Sequence, residues 1–373
     1  MNGDTANIRG IILYDYLFCR GGAERVTLEL ADDLEADLCC GFRDITAFPA
    51  EDLSHLRCIE LRSRPFRCHR LHLFFYMWLF WRNTHFLRHY QWVIYSGSSA
   101  PLAVSRHSRG PNICYCHTLP RFAYDLFEHF LNNLDMKRRL FFRGLVCLTR
   151  FFYARAMRRM DVVVANSANV QARLRRYLGI DAQIVYPPCA VDAFRWLGQG
   201  DYFLSTARIE PLKRVEALVL AFMAMPEKKL VVTSGGSEFE RLRRLASGYG
   251  NISFTGWLSD VEMHEMVGRA FATVYIPKDE DFGMSPVESM AAGKPVIGVA
   301  EGGLMETVLN GETGILLPAD PTVEQIQAAV RAMTRERTLA MRPACEHQAE
   351  KFSRQRFFTA MRRLLVAHGV NMA

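Results

Sequence analysis

The sequence predicts an α/β protein of two Rossmann-like domains that face each other across a cleft. The chain has 373 residues, of which 50% are hydrophobic, and this is enough for two packed cores. In both halves, short apolar runs alternate with stretches of helical periodicity, which is typical of parallel sheets covered by helices. Between the halves, Pro187-Pro188 interrupts the pattern and the glycine-containing segment 197–200 is the predicted linker. We therefore predict domains over 1–190 and 191–353 and a terminal helix over 354–373.

The first half is predicted to open with a strand that leads into a helix beginning near Gly21-Gly22. Three further apolar runs predict strands, and a long helical pattern contains Gly144 as a candidate break. The predicted strands cover 8–14, 92–96, 112–116 and 161–165, and the predicted helices cover 23–34, 123–160 and 168–177.

The second half repeats the rhythm with six predicted strands, at 202–206, 229–233, 252–255, 273–276, 296–299 and 315–317. A final helix over 353–367 begins with Ser353, a residue type favoured at N-caps. Because ligands of parallel sheets bind beyond the carboxyl ends of the strands, the cleft between the domains is the predicted site.

Charge is unevenly distributed along the chain. Residues 1–190 carry 25 Lys and Arg against 17 Asp and Glu, a net charge of +8, whereas residues 191–373 carry 21 against 22, a net charge of −1. The stretch 61–124 has nine arginines and no acid, and 136–160 has eight basic residues and no acid. Within the first stretch, the aromatic-rich segment 66–92 suits an anionic membrane surface. A buried helix with solvated flanks and a nucleic-acid surface are the alternatives.

Other composition signals narrow the class of protein. The ten cysteines lack zinc-type spacing, so reduced thiols in a reducing compartment are expected. The polar first residues predict no secretory signal, and no apolar run approaches the roughly 20 residues that a membrane span needs.

Two polar segments of the second half carry the candidate chemistry. Glu280 and Glu288 stand eight positions apart around a glycine turn that opens a helix, so both carboxylates can share one cleft. Arg208 and Lys213 follow the first strand of this half, and together with a helix N-terminus they suit a diphosphate. A surface loop with solvated charges is the alternative for the Arg208 segment.

These residues resemble the retaining family 4 glycosyltransferases of the GT-B fold. The resemblance is carried by Arg208 with Lys213, by Glu280 with Glu288, and by the segments 301–308 and 311–314. The strings 20–26, 114–125, 165–167 and 186–188 further resemble the branch of bacterial mannosyltransferases that assemble O-antigen and exopolysaccharide.

The resemblance implies a role for each matching residue. Arg208 and Lys213 would bind the donor diphosphate, and Glu288 would bind the donor ribose. Glu280 would hold hydroxyls of the transferred sugar, helped by backbone N–H groups. Across the cleft, His117 would lie at the sugar hydroxymethyl. The remaining donor-binding residues implied are Phe282, Gly283 and Met284 beside the sugar, Gly22 beside the diphosphate, and Gly256 and Trp257 beside the base.

The same resemblance implies the partners and the setting of the protein. The donor would be a nucleotide sugar, with GDP-mannose favoured, and the acceptor a lipid-linked oligosaccharide at the cytoplasmic face of the plasma membrane. The two cations would replace a metal ion, so no metal and no cofactor are expected. The terminal helix would cross back onto the first domain.

Two other functions remain open at this point. A nucleotide-sugar 2-epimerase can share the two-domain architecture and would use acids of the cleft for proton transfer. A non-catalytic, membrane-associated assembly partner could keep the fold without the activity. A dehydrogenase is disfavoured, because Gly21-Gly22 lacks the full G-x-G-x-x-G pattern.

Overall fold

The computed structural model describes residues 10–64 and 72–371, which form two compact units. The first unit contains residues 1–186 and 358–373, and the second contains residues 187–357. The predicted boundary lies four residues later, between 190 and 191. The segment 197–200, predicted as a linker, lies inside the second unit: Leu197 N donates to Gly268 O at 2.9 Å and Gly200 N donates to Arg269 O at 2.9 Å. Gly200 packs closely, because a Cβ there would lie 2.3 Å from Arg269 O, whereas Gly198 has φ 109° and open space around it.

The first unit contains a seven-stranded sheet in which all neighbouring strands are parallel. Its strands are β1 Ile11–Tyr14, β2 Asp37–Cys40, β3 Cys58–Glu60, β4 Val93–Ser96, β5 Asn112–Cys116, β6 Val162–Ala165 and β7 Gln183–Ile184. They lie in the order β3-β2-β1-β4-β5-β6-β7. Its helices are α1 Gly22–Asp33, α2 His72–Asn83, α3 Phe127–Asn132, α4 Met136–Met157 and α5 Ala168–Leu178.

The second unit contains a six-stranded sheet, also parallel throughout. Its strands are β8 Tyr202–Ser205, β9 Lys229–Thr233, β10 Ile252–Gly256, β11 Ala272–Val274, β12 Val296–Val299 and β13 Gly314–Leu317. They lie in the order β10-β9-β8-β11-β12-β13. The helices that follow β8 are α6 Val215–Met223, α7 Phe239–Leu245, α8 Asp260–Arg269, α9 Met284–Ala291, α10 Leu304–Thr307, α11 Val323–Ala332, α12 Arg335–Glu350 and α13 Arg354–Ala367.

The long helical pattern breaks at a different place from the one predicted. Gly144 lies inside α4, and the chain turns instead between α3 and α4, at residues 133–135. There the Asp135 carboxylate accepts from Arg138 N at 3.0 Å and caps α4. An N-cap contributes about 1 kcal/mol to a helix start, and a glycine inside a helix costs about as much without ending it.

The aromatic segment 66–92 is partly buried where the structure describes it, and residues 66–71 lie outside the described residues. In α2, Tyr76, Met77, Leu79 and Phe80 are buried, whereas Trp78 and Trp81 are about half exposed. Helix α2 thus has one core face and one exposed aromatic face. No helix within residues 10–64 and 72–371 is both long and apolar enough to cross a bilayer.

The order of the strands determines where the candidate site residues lie. In each sheet the order reverses beside the first strand of the unit, next to β1 and next to β8. Ligands of parallel α/β sheets bind at the carboxyl ends of the strands near this reversal. Gly22 follows β1 and His117 follows β5, whereas Arg208 follows β8 and Glu280 follows β11.

Candidate active site

Lys213 and Glu280 form an ion pair at the carboxyl ends of β8 and β11. Lys213 Nζ lies 2.5 Å from Glu280 Oε2 and donates to the Tyr275 hydroxyl at 3.2 Å. The side chains of Lys213 and Glu280 are only 21% and 19% exposed. Two loops far apart in sequence therefore present a shielded pair of opposite charges.

The contacts of the pair keep Lys213 charged. Burial alone would lower the pKa of Lys213, but Tyr275 and the Glu280 carboxylate raise it above its ordinary value. Burial and the Glu280 carboxylate raise the pKa of Tyr275, so its hydroxyl stays protonated at neutral pH. Lys213 is a cation and Tyr275 a neutral hydroxyl in this cluster.

Backbone strain concentrates around this pair. Arg214, Ser234 and Asp279 all have positive φ, at 52°, 74° and 48°, although none is glycine. Such conformations cost on the order of 1–3 kcal/mol and persist where the surrounding structure enforces them, often at functional sites. Arg214 is held by Glu301 Oε2 at 3.2 Å and by the Ala319 carbonyl at 2.7 Å, which fixes the backbone next to Lys213.

The loop that carries Glu280 is clamped by its neighbours. Lys278 N donates to Leu212 O at 2.7 Å, and Gly303 N donates to Glu280 O at 2.8 Å. A Cβ at Gly302 would lie 2.4 Å from Glu280 O, so only glycine allows this approach. The turn after β12 thereby holds the Glu280 backbone in place.

Helix α9 begins directly after this loop. Gly283 caps it with φ 91° and ψ 72°, and buried Phe282 packs edge-on against Phe352, with ring centroids 5.3 Å apart. Among the described residues, no acceptor lies within hydrogen-bonding distance of the N–H groups of Gly283 and Met284, which suits an anionic or hydroxylated ligand. Glu288 lies further along α9 and is partly buried.

Arg208 lies on a neighbouring loop with an exposed side chain. Ile209 is fully buried, and its backbone bonds to Gly235 O at 2.9 Å and to Glu238 N at 3.1 Å. Glu210 accepts from Ser237 Oγ at 2.6 Å, and the bond to Ser237 lowers the pKa of Glu210. The loop is rigidly anchored while Arg208 itself points to solvent.

Trp257 lies against Gly235, the residue whose carbonyl also holds the Arg208 loop. A Cβ at Gly235 would lie 2.6 Å from Trp257 Nε1, so the indole rests on bare backbone. Gly256 has φ 75°, and its carbonyl accepts from Ser234 N at 2.8 Å. Trp257 remains 70% exposed, and so offers an aromatic surface beside the Arg208 loop.

His117 lies at the end of β5 in the first unit. Its Nε2 is 2.8 Å from Ser96 Oγ, which is 2.9 Å from Thr27 Oγ1. Burial lowers the pKa of His117 to about 4, so the imidazole is neutral at pH 7. A neutral ring can both donate and accept a hydrogen bond.

Gly22 is the exposed first residue of α1, and a polar cluster that the sequence reasoning missed lies behind it. Glu24 is buried and hydrogen-bonds Tyr14, and burial raises the pKa of that tyrosine. Asp15 accepts from the backbone N–H groups of Ser98, Ser99 and Ala100 at 2.7–2.8 Å. The sequence signal for Asp15 was its position directly after the buried strand β1. The sequence reasoning also missed Tyr275, whose signal was weaker: it directly follows β11.

The predicted residues thus fall into two groups. Arg208, Lys213, Glu280, Gly283 and Trp257 lie on loops at one end of the second sheet, and there Lys213 and Glu280 form an ion pair. His117 and Gly22 belong to the first unit.

Asp279 and Asp281 flank Glu280, a spacing that can chelate a divalent cation. Within residues 10–64 and 72–371, no three His, Cys, Asp or Glu side chains are placed to hold one ion. The Glu280 carboxylate is instead bonded through Oε2 to the Lys213 ammonium.

Comparisons with known proteins place the chain among glycosyltransferase-like sequences and folds. Residues 20–195 match the family model described as Glycosyltransferase Family 4, and residues 193–352 match Glycosyl transferases group 1. The chain is 31% identical over 192 residues to the alpha-1,3/1,6-mannosyltransferase ALG2 of Rhizomucor pusillus, covering 38% of this chain and 42% of that protein. It is 28% identical over 212 residues to the GDP-mannose-dependent alpha-(1-6)-phosphatidylinositol monomannoside mannosyltransferase of Mycobacterium tuberculosis (strain CDC 1551 / Oshkosh), covering 48% and 55%. The alignments thus span about half the length of these curated relatives.

Among solved structures, Anabaena Alr3699/HepE in complex with UDP and glucose has a TM-score of 0.74 at 16% identity, covering 96% of this chain and 99% of that one. This likeness shows the fold. The two glycosyltransferase family matches follow each other along the chain and together span residues 20–352, and the chain has the two-domain GT-B fold.

Proposed function

We propose that this protein is a retaining, metal-independent hexosyltransferase that moves mannose from GDP-mannose to a lipid-linked saccharide in cell-surface polysaccharide synthesis. The observation that carries the proposal is the shielded Lys213–Glu280 pair at the start of α9. It combines a fixed cation, a sugar-binding carboxylate and free backbone donors.

The pair suits cleavage of a sugar–diphosphate bond. When the bond between the anomeric carbon and the phosphate oxygen breaks, positive charge grows on the sugar and negative charge on the diphosphate. The Lys213 ammonium has three N–H groups, so its third can donate to a phosphate oxygen while the other two stay bonded to Glu280 and Tyr275. Arg208 is exposed and can add a second, forked cation.

Glu280 is better suited to holding the sugar than to attacking it. Its carboxylate is bonded to Lys213, and its backbone is clamped by Gly303. In the proposed transfer, the acceptor oxygen bonds to the anomeric carbon on the face that the diphosphate leaves. The departing phosphate oxygen takes the acceptor proton, so the anomeric configuration is retained and the nucleoside diphosphate is released.

The nucleotide contacts follow from the other loops of the second unit. Glu288 on α9 would bind the ribose hydroxyls, and Trp257 with the Gly256 backbone would meet the base. Mannose is supported by the names of the two curated relatives. HepE was solved with UDP and glucose, so a comparison of GDP with UDP tests the base.

The first unit would bind the acceptor, with His117 near the sugar hydroxymethyl and Gly22 near the diphosphate. Its net positive charge supports an anionic, lipid-linked acceptor at the inner face of the plasma membrane.

A screen of nucleotide sugars tests the function. Purified protein should gain more thermal stability from GDP than from UDP, and should release mannose slowly from GDP-mannose with EDTA present. Stronger stabilisation by UDP would mean that the donor is a UDP-sugar instead of GDP-mannose, and the proposed sugar transfer would stand. Conversion of the sugar to its 2-epimer without an acceptor would favour the epimerase instead, and loss of turnover in EDTA would contradict metal independence.

A further inference from the structure

We propose that the outward face of α4 is the surface by which this protein docks on an anionic bilayer. The face is defined by six large apolar residues on α4, each between 44% and 83% exposed, namely Met136, Leu140, Phe141, Leu148, Phe151 and Phe152. The proposal refines the membrane association given above, and it does not depend on the transfer chemistry.

Helix geometry separates this outward face from the core. Val146, Thr149, Tyr153 and Met157 recur at intervals of three or four and are buried. Residues 136, 140 and 148 are separated by multiples of four and lie on the opposite side. Cys147 is exposed on the same outward side of the helix. The exposed apolar residues run from 136 to 152, so the stripe is about 24 Å long. A stripe of this size on a surface helix marks a docking site rather than scattered exposure.

The surrounding charge indicates the occupant. Residues 136–160 contain eight basic side chains and no acid. Arg150 is committed to the Ala123 carbonyl, Arg139 to the Leu134 carbonyl and Arg138 to Asp135. In the described parts of the chain, no carboxylate pairs with the other five, which are Lys137, Arg143, Arg155, Arg158 and Arg159.

The C-terminal end of α4 adds a shaped cationic feature. A surface concavity of about 300 Å³ is lined by Phe151, Ala154, Arg155, Arg158 and Arg159. Three guanidinium groups around an aromatic ring suit a lipid phosphate, because the guanidinium fork binds phosphate oxygens while the ring enters the interface. The apolar stripe, the cations without a carboxylate partner and the arginine-lined concavity all fit one partner, an anionic lipid surface.

The native Cys147 provides the reporter for the test. In a background with Cys19, Cys58 and Cys68 changed to serine, a polarity-sensitive fluorophore on Cys147 should shift to the blue with vesicles of phosphatidylglycerol and phosphatidylcholine. It should not shift with phosphatidylcholine alone. The matched control keeps Cys19 and carries Cys147→Ser, and its label should not respond. A response at Cys19 without one at Cys147 would overturn the assignment.

Sedimentation with the same vesicles tests the side chains. The double variants Leu140→Asp/Phe151→Asp and Arg155→Glu/Arg159→Glu should each reduce partitioning at least tenfold, since each basic residue near an anionic surface contributes about fivefold. The control variants are Trp78→Ala/Trp81→Ala on α2 and Leu339→Asp on α12, and both should bind like wild type. Loss of binding only in the α2 variant would overturn the assignment to α4.

Two readouts separate this proposal from its alternatives. All α4 variants should keep wild-type donor hydrolysis, so a failure of the proposed function would appear there and not in the vesicle assay. A wild-type dimer that becomes monomeric in Leu140→Asp/Phe151→Asp, without any binding to anionic vesicles, would show that the face joins two copies of the chain and would overturn the proposal.

Discussion

At the residue scale, the Lys213–Glu280 pair is the most demanding feature of the site. Both groups are largely shielded, so each needs the other, and removing one leaves an uncompensated charge. The exposed pair Lys229–Asp201 has the same 2.5 Å separation with side chains 60% and 72% exposed, and exposed pairs contribute little to stability. The Lys229–Asp201 pair therefore serves as a control for variants of the Lys213–Glu280 pair.

Lys213→Ala is expected to lower kcat/KM for sugar transfer by about 10²–10³, the usual cost of losing one preorganised donor at a developing negative charge. Glu280→Gln should lower turnover but leave binding of the free nucleoside diphosphate nearly unchanged. Lys229→Ala should match wild type in both assays. Equal activity of Lys213→Ala and wild type would remove the central argument for the proposed function.

Trp257→Ala is expected to weaken binding of GDP about tenfold, because stacking of a base on an aromatic ring contributes about 1–3 kcal/mol. Trp257→Phe should recover most of this affinity. Isothermal titration with inorganic pyrophosphate, which has no base, is the control and should not distinguish the variants. An equal loss for pyrophosphate would show that Trp257 supports the Arg208 loop instead of the base.

His117 predicts a pH dependence of stability. An unfolded histidine has a pKa of about 6.5, whereas burial lowers the pKa of His117 to about 4. Between these values the unfolded chain binds more protons, so the free energy of unfolding should fall as pH falls from 6.5 to 4, by at most about 3 kcal/mol. Urea unfolding of His117→Gln should show a smaller fall, whereas the exposed control His85→Gln should behave like wild type.

At the element scale, the start of α9 depends on one backbone conformation. Gly283 has φ 91°, and an added Cβ would lie 3.1 Å from Leu304 Cδ1. Gly283→Ala is therefore expected to cost about 1–3 kcal/mol and to weaken donor binding as the free N–H groups move. Gly248→Ala, where a Cβ would meet nothing within 4 Å, is the control for thermal unfolding. Normal donor affinity in Gly283→Ala would argue against a ligand at this helix start.

Strands could be predicted where the local sequence pattern determined them. Strands β5, β9 and β12 have the predicted bounds, because they are short apolar runs with clear breakers on both sides. Strands β2, β3 and β7 were missed. Strand β3 is only partly buried and β7 has two residues, so both have weak local signals and depend on pairing with neighbours.

At the scale of the whole molecule, the chain returns to its first unit at Phe358. Met361 and Leu365 are fully buried, and Arg362 pairs with Asp33 at 2.7 Å. Leu365→Asp should therefore open the first unit, while GDP should still protect the second. Hydrogen exchange followed by mass spectrometry would show faster exchange in β1 and α1 than in β8 and α9. Leu339→Asp on α12, at a half-exposed position, is the control, and uniform opening of both units would contradict the prediction.

The sequence by itself determined the α/β class and the two sheets and singled out candidate site residues, because hydrophobic period, turn residues and motif spacing are local properties of the chain. It placed Lys213, Glu280 and Gly283 on loops after strands without showing their contacts. Only the tertiary structure decided that Lys213 bonds to Glu280 and Tyr275, that Trp257 rests on Gly235, and that α4 leaves an apolar face exposed. Those facts depend on which strands pair and which helix faces are covered, and such long-range packing leaves no periodic signal in the sequence.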